Sequence, residues 1–378
     1  MNTRKGLSRL GALLITLIAA VLLAPPSTAV PMWTRRYGVA CASCHAFPGL
    51  QLTGAGLEFF RRGHRMDGDT FDKDFTHLLS AHGEWEYEAK EGESTAFTQP
   101  DFHLHAGGAV STNFAFYVDA GINAEFEAIY LQVTKSWKDD VYFTARGGKV
   151  SPTLIRNYGN GLMASASTPL VLTDTTVGGS PFTPARDSFG INVGAQLKWF
   201  FLEGGVVNGE DAPGDAAVNN HKDVYATVEF AAPDGLSGVG LYYYRGGYDL
   251  GDDLTGFLFD RYDRSGIFAN YTRDEFRIAG AYLYGKDRVE TLFDRKLHGY
   301  FVQADGHPGS RWAPFLRFDD VRTETELGES TVKKGTLGCA AKIYENDYSA
   351  SRVVLEVSRE KEDGVSTNAA ALNVIWAF

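Results

Sequence analysis

Ala370-Ala-Leu-Asn-Val-Ile-Trp-Ala-Phe378 closes the chain and decides its fold. Counted back from the end, Phe378, Trp376, Val374, Leu372 and Ala370 fall on one side. A period of two is the pattern of a strand with two different faces. His82-Gly-Glu-Trp-Glu-Tyr-Glu88 repeats it, with Trp85 and Tyr87 opposed to Glu84, Glu86 and Glu88. In Asp101-Phe-His-Leu-His-Ala106, Phe102 and Leu104 oppose His103 and His105. Alternating segments of this length suit strands with one face on lipid and the other on a polar lumen.

Working outward, about sixteen such segments fill residues 77–378, with centres near Glu84, Ala106, Phe116, Leu131, Phe143, Val193, Gly205, Ala226, Leu241, Phe268, Gly280, Phe301, Phe315, Ala340, Leu355 and Leu372. The joins at 121–125 and 199–202 carry the weakest turn signals. Short turns such as Ser111-Thr-Asn113 and Arg273-Asp-Glu275 interleave with longer connections, among them Ser151 to Asp187, Glu210 to Lys222, Gly247 to Asp260, Arg288 to Lys296 and Thr323 to Lys334. Outer-membrane barrels have even strand numbers, short periplasmic turns and longer outer loops. The expected fold is therefore all-β: an antiparallel outer-membrane barrel of about sixteen strands. Aromatic residues make up 13% of the chain, enough to supply the interfacial girdles of such a barrel. So many strands exceed an ordinary soluble sandwich, which argues against that class and leaves a soluble haem-binding β protein as a lesser alternative. The terminal Phe378 resembles the C-terminal insertion signal of outer-membrane barrels.

At the other end, Arg4, Lys5 and Arg9 precede the apolar run Leu10 to Leu23, and Ser27 and Ala29 offer small residues for cleavage. This is the pattern of a signal peptide over residues 1–29. The run is shorter than the roughly 20 residues a spanning helix needs. The formal net charge is −11, and the leader takes three of the positive charges with it. So acidic a chain excludes nucleic acid as a partner. Three cysteines form no disulfide framework, since two lie in one pentapeptide and Cys339 stands far away.

That pentapeptide, Cys41-Ala-Ser-Cys44-His45, is the chemical centre of the sequence. In Cys-x-x-Cys-His, two thiols add to haem vinyl groups and the adjacent imidazole ligates the iron. A thioredoxin-type pair would need a βαβ setting, and a zinc site a second pair of ligands; neither is present. One haem c is the expected cofactor. Met66 is preferred as its sixth ligand and His64 is the alternative, with His77 or a lumen histidine completing the candidates. Arg61, Arg62 and Arg65 are candidate partners for the propionates, because guanidinium pairs well with carboxylate.

The haem head, residues 30–76 with one expected helix, is too short to build a core of its own. No Pro- or Ser-rich linker separates it from the first strand, so it is expected in the lumen as a plug whose pocket the barrel completes. His82, Glu84, Glu86 and Glu88 on the first strand, and Asp101, His103 and His105 on the next, would share neighbouring lumen walls. Imidazole and carboxylate suit iron in open sites, but a polar lumen is the simpler explanation.

Arg36-Tyr-Gly-Val-Ala-Cys-Ala-Ser-Cys-His45, with Phe47-Pro-Gly-Leu50, Gly56, Phe59-Phe60 and Gly63-His-Arg-Met66, resembles the head of the fused outer-membrane cytochrome–porins. These are single-haem c-type cytochromes joined to a barrel of about sixteen strands, best known as ferrous-iron oxidases of iron-oxidising bacteria. The match spans the order of parts over the chain, but at motif level only the head. The resemblance implies haem on Cys41, Cys44 and His45, and electron transfer across the outer membrane from extracellular Fe(II) to a soluble periplasmic cytochrome. Met66 falls near where such heads end in a Gly-aromatic-x-Met pattern, with His64 in the aromatic's place. The same parts would serve outward electron transfer to an external acceptor. A solute porin with a structural or regulatory haem is the remaining alternative.

Overall fold

A strand that spans a membrane must hide polar side chains on one face and show apolar ones on the other. The computed structural model shows this inversion. Leu131 is 66% exposed, while its neighbour Gln132 is fully buried. Ile191, Val193, Leu241, Val302, Leu316, Leu337 and Val357 face outward. Arg146, Asn192, Glu203, Arg264, Asp287, Arg317 and Asp319 face inward and are buried. Burying charge inside while showing apolar side chains outside is the reverse of a water-soluble domain.

The structure describes residues 32–377 apart from 40, 47–50, 75–76, 98–100, 123–125, 139, 153–163, 174–183, 185–186, 210–220, 233–235, 251–257, 274, 290–293, 307–310, 327 and 346–349. The leader expected over 1–29 and the terminal Phe378 lie outside the described residues.

The barrel strands are β1 (Leu79–Lys90), β2 (Ala96–Phe97 continued by Asp101–Ala109), β3 (Phe114–Gly121), β4 (Phe126–Lys138), β5 (Val141–Val150), β6 (Ser188–Leu197), β7 (Phe200–Val207) and β8 (Asp223–Ala231). They continue with β9 (Gly238–Leu250), β10 (Leu258–Arg273), β11 (Phe276–Val289), β12 (Asp294–Gly306), β13 (Trp312–Thr325), β14 (Gly328–Glu345), β15 (Ala350–Glu362) and β16 (Val365–Ala377). Every neighbouring pair is antiparallel, and the sheet closes when β16 pairs with β1. At that seam Trp376 lies opposite Gly83, where a Cβ would meet the indole at 2.3 Å. All sixteen strand centres expected from the sequence fall inside these strands.

Three expectations about local structure need correcting. The connection expected over Thr323 to Lys334 is mostly strand, because β13 runs to Thr325 and β14 begins at Gly328. Cross-strand pairs such as Lys296 with Glu324 and Lys333 with Asp320 hold these polar extensions together, so they lack the apolar signal of the membrane zone. β14 has 18 residues, longer than the ~10 a bilayer needs, so it extends past the lipid. The join near 199–202 is a tight turn at Lys198 and Trp199, with Lys198 in the left-handed region at φ 59°. Finally, the head has three helices among its described residues: α1 (Met32–Tyr37), α2 (Cys41–Cys44) and α3 (Gly54–Arg61).

Candidate functional site

α2 is a single turn carrying Cys41 and Cys44, and His45 follows directly in a two-residue ladder with Leu52. The side chain of Cys41 lies outside what is described. Cys44 is half-buried and unpaired, and burial pushes its thiol up from the usual range. Thr53 fastens the next helix to this turn. Its backbone N–H donates to the Cys44 carbonyl at 2.8 Å, and its hydroxyl donates to the Ser43 carbonyl at 2.7 Å. The same hydroxyl accepts from the Gly56 N–H at 3.1 Å and caps α3. A Cβ on Gly56 would lie 2.1 Å from the Cys44 carbonyl oxygen, so only glycine lets the two backbones touch. The donor set suits a c-type haem: two cysteines on one helical turn and an imidazole immediately after.

α3 lies inside the barrel. Its end is a glycine-turned cap, with the Gly63 N–H on the Phe60 carbonyl and the His64 N–H on the Phe59 carbonyl. The last helical carbonyls have no partner within the helix. Lumen side chains supply them. Gln132 Nε2 donates to the Arg61 carbonyl at 2.7 Å, and Thr134 Oγ1 to the Arg62 carbonyl at 3.1 Å. Arg146 Nη2 donates to the Phe60 carbonyl at 3.3 Å, placing a cation at the negative end of the helix.

The arginines expected near the propionates are engaged by the wall. Arg61 pairs with Glu229 and bonds Gln196, and its guanidinium lies 3.8 Å over the Phe201 ring. Arg62 bonds Glu58, Asp67 and Ser136 and lies over Tyr142. Arg65 donates to the Ser111 carbonyl. Asp67 also accepts from the Ser136 hydroxyl, which holds its carboxyl below the usual range.

The two sixth-ligand candidates stand in different surroundings. His64 is buried, stacked 4.5 Å from Trp33 and tilted 4.3 Å from Tyr117, with Nδ1 3.3 Å from Tyr130 Oη. Burial, reinforced by Arg146 and His105, pushes its pKa well down and keeps it neutral. Met66 is 39% exposed. His77 pairs with Asp72 and Asp74 beside the first strand.

A second lumen insert had no sequence signal. Residues 164–173 belong to the connection between β5 and β6, which by the alternation of turns is the third outer one. They fold onto the opposite wall. Arg317 reaches the Ser165 hydroxyl at 2.9 Å and the Ser167 carbonyl at 2.5 Å. Asp319 accepts from the Leu170 N–H and Glu356 from the Ala166 N–H. Val171 and Leu172 are buried. These partners lie far away along the chain, so no local pattern announces them.

No protein-family profile matches the sequence, and no curated protein matches it. Solved structures do match in fold. One is OmpT expressed in the outer membrane of Vibrio cholerae, with TM-score 0.59 and 13% identity, covering 82% of this chain and 100% of that one. An anion-selective porin from Comamonas acidovorans has TM-score 0.57 and 11% identity, covering 80% of this chain and 98% of the porin. The outer-membrane channel DcaP of Acinetobacter baumannii has TM-score 0.54 and 10% identity, covering 80% and 96%. At such identities the likeness is one of fold alone. In fold, this chain is a porin-like antiparallel β-barrel of sixteen strands of the outer-membrane type.

Proposed function

We propose that the chain bears one haem c on Cys41, Cys44 and His45 and passes electrons across the outer membrane. Extracellular Fe(II) is the proposed donor and a soluble periplasmic cytochrome the proposed acceptor. The observation that carries this reading is α3. It touches the cysteine turn through Gly56 and is finished at its other end by lumen side chains. Bound there, the haem supplies a one-electron carrier. The chain's own residues would orient it: Thr53 and Gly56 hold the turn, Arg61 and Glu229 hold the helix, and Trp33, Tyr117 and Tyr130 pack around His64, whose burial beside Arg146 and His105 favours its neutral form. A neutral imidazole is the form that ligates a metal. Met66 remains the other candidate for the sixth position. The resemblance of the head to the cytochrome–porins supports the same assignment.

A second reading is a solute porin with a structural or regulatory haem. The porins and channel among the similar folds favour it, as does the third outer connection folded into the lumen. The experiment is made on purified outer-membrane fractions. Covalent haem that stays with the chain on a denaturing gel and is reduced by Fe(II) within seconds supports electron transfer. Absence of reduction rejects the Fe(II) donor, and oxidation of the pre-reduced chain by an external acceptor reads outward flow. Solute conductance in a planar bilayer that survives Cys41→Ala supports the porin.

A further inference from the structure

The lumen face of β2, β3 and β4 carries a cluster of donors apart from the cysteine turn. His103 is buried, and its Nδ1 lies 2.9 Å from Asp119 Oδ1. Its Nε2 lies 3.0 Å from Asp101 Oδ1 and 3.8 Å from Glu127 Oε1. One donor atom each from His103, Asp119 and Glu127 falls within 4.8 Å of the other two. The rings of His82 and His105 stand 5.2 Å and 6.1 Å from that of His103.

Strand register explains how Glu127 joins them. Along β4 the even positions Tyr130, Gln132 and Thr134 are buried toward the lumen, so regular alternation would aim Glu127 at lipid. The ladder instead pairs Asp119 with Ala128 and Ala120 with Phe126, and skips Glu127. A bulge of this kind sets two residues against one and re-aims a side chain. It brings the Glu127 carboxylate to His103. A lumen that is merely polar needs no such interruption.

The position also matters. Asp101 begins its part of β2, and Gly121 and Phe126 flank the connection between β3 and β4. These ends lie on the side of the long connection 151–187, which is the outer side in barrels of this type. The end of α3 and the residues after it, by contrast, are bound near the short turns, Arg61 through Glu229, Arg62 through Ser136 and Arg65 through Ser111.

We propose that His103, Asp119 and Glu127 form a binding site for a divalent first-row transition cation at the outer mouth of the barrel. His82 and His105 stand by as further imidazole donors. Imidazole selects iron, zinc and similar ions over calcium and magnesium, and two carboxylates balance the charge of a divalent ion. Glu127 is about half-exposed, so the cation enters from the lumen, while buried His103 forms the back of the site. The site is independent of the electron-transfer reading, since it uses no residue of the cysteine turn.

Mn(II) is the probe, read by loss of the free-ion paramagnetic resonance signal on the chelator-stripped, full-length chain in detergent. That signal reports the cation itself and does not depend on the haem. The expected result is one saturable ion per chain, displaced by Zn(II). Glu127→Gln and Asp119→Asn, which keep side-chain shape, weaken it by at least about tenfold, and His103→Ala does the same. Glu329→Gln, an exposed acid at the start of β14, leaves it unchanged. If His103→Ala fails to close its barrel, the two isosteric variants carry the test. No saturable Mn(II) binding, or equal affinity in the parent, Glu127→Gln and Asp119→Asn, overturns the proposal.

Discussion

The Arg61 guanidinium lies 2.8 Å from the Glu229 carboxylate, and the two side chains are only 3% and 2% exposed. One belongs to the head and the other to β8, so this buried pair spans the two parts of the molecule. Removing one partner of a buried pair leaves an unpaired charge, at a cost of about 3 to 5 kcal/mol. Arg61→Ala is expected to free the head for limited proteolysis while the barrel keeps its heat-modifiable gel mobility. The double change Arg61→Met with Glu229→Met is expected to restore most of the protection. Equal protease resistance in Arg61→Ala and the parent would count against this joint.

Gly56 supplies the second prediction. A methyl there meets the Cys44 carbonyl oxygen at 2.1 Å, a backbone atom that cannot swing aside. Overpacking of this kind costs about 1 to 3 kcal/mol. Gly56→Ala is expected to lower covalent haem per chain several-fold, whereas Ala55→Ser, one residue earlier in α3, leaves it near the parent level. Haem staining normalised to protein on one gel checks both.

The sixth-ligand candidates separate by spectrum. If the thioether ligates, Met66→Ala loses the long-wavelength sulfur–iron band of the ferric protein and its potential falls, because a methionine ligand raises potential. If the imidazole ligates, His64→Ala produces the spectral change and Met66→Ala is silent. Redox titration of both variants distinguishes the two outcomes.

Arg317 carries the fourth prediction. It is fully buried and holds residues 165–168 through side-chain and backbone acceptors. Arg317→Ala is expected to release this insert and raise single-channel conductance in a planar bilayer. Unchanged conductance would mean that the insert does not limit passage.

The barrel was legible because its determinant is local. Lipid on one side and lumen on the other write alternation into each strand, as in Leu131 and Gln132, without reference to partners. The cysteine turn is equally local. What escaped the sequence depends on partners distant in the chain. Arg61 and Arg62 look like generic cations until Glu229 and Ser136 are brought beside them. Glu127 sits at a position of lipid-facing parity, and only the pairing with β3 reveals the bulge that reverses it. Asp119 draws no notice until His103 lies against it. Ser165 and Ser167 read as loop residues, and only the closed wall gives them Arg317.

The capping of α3 has one more consequence. Three successive helix carbonyls, from Phe60 to Arg62, are completed by Arg146, Gln132 and Thr134. Sliding the head outward by part of a turn would break these bonds together and leave the Arg61 and Arg62 carbonyls without them, while the Phe60 carbonyl keeps the Gly63 N–H. Half-withdrawn positions would lose these bonds without gaining others, which favours a head that is either seated or released. The barrel grips it as a latch does rather than as a bearing, and any motion that opens the lumen past it is all-or-none.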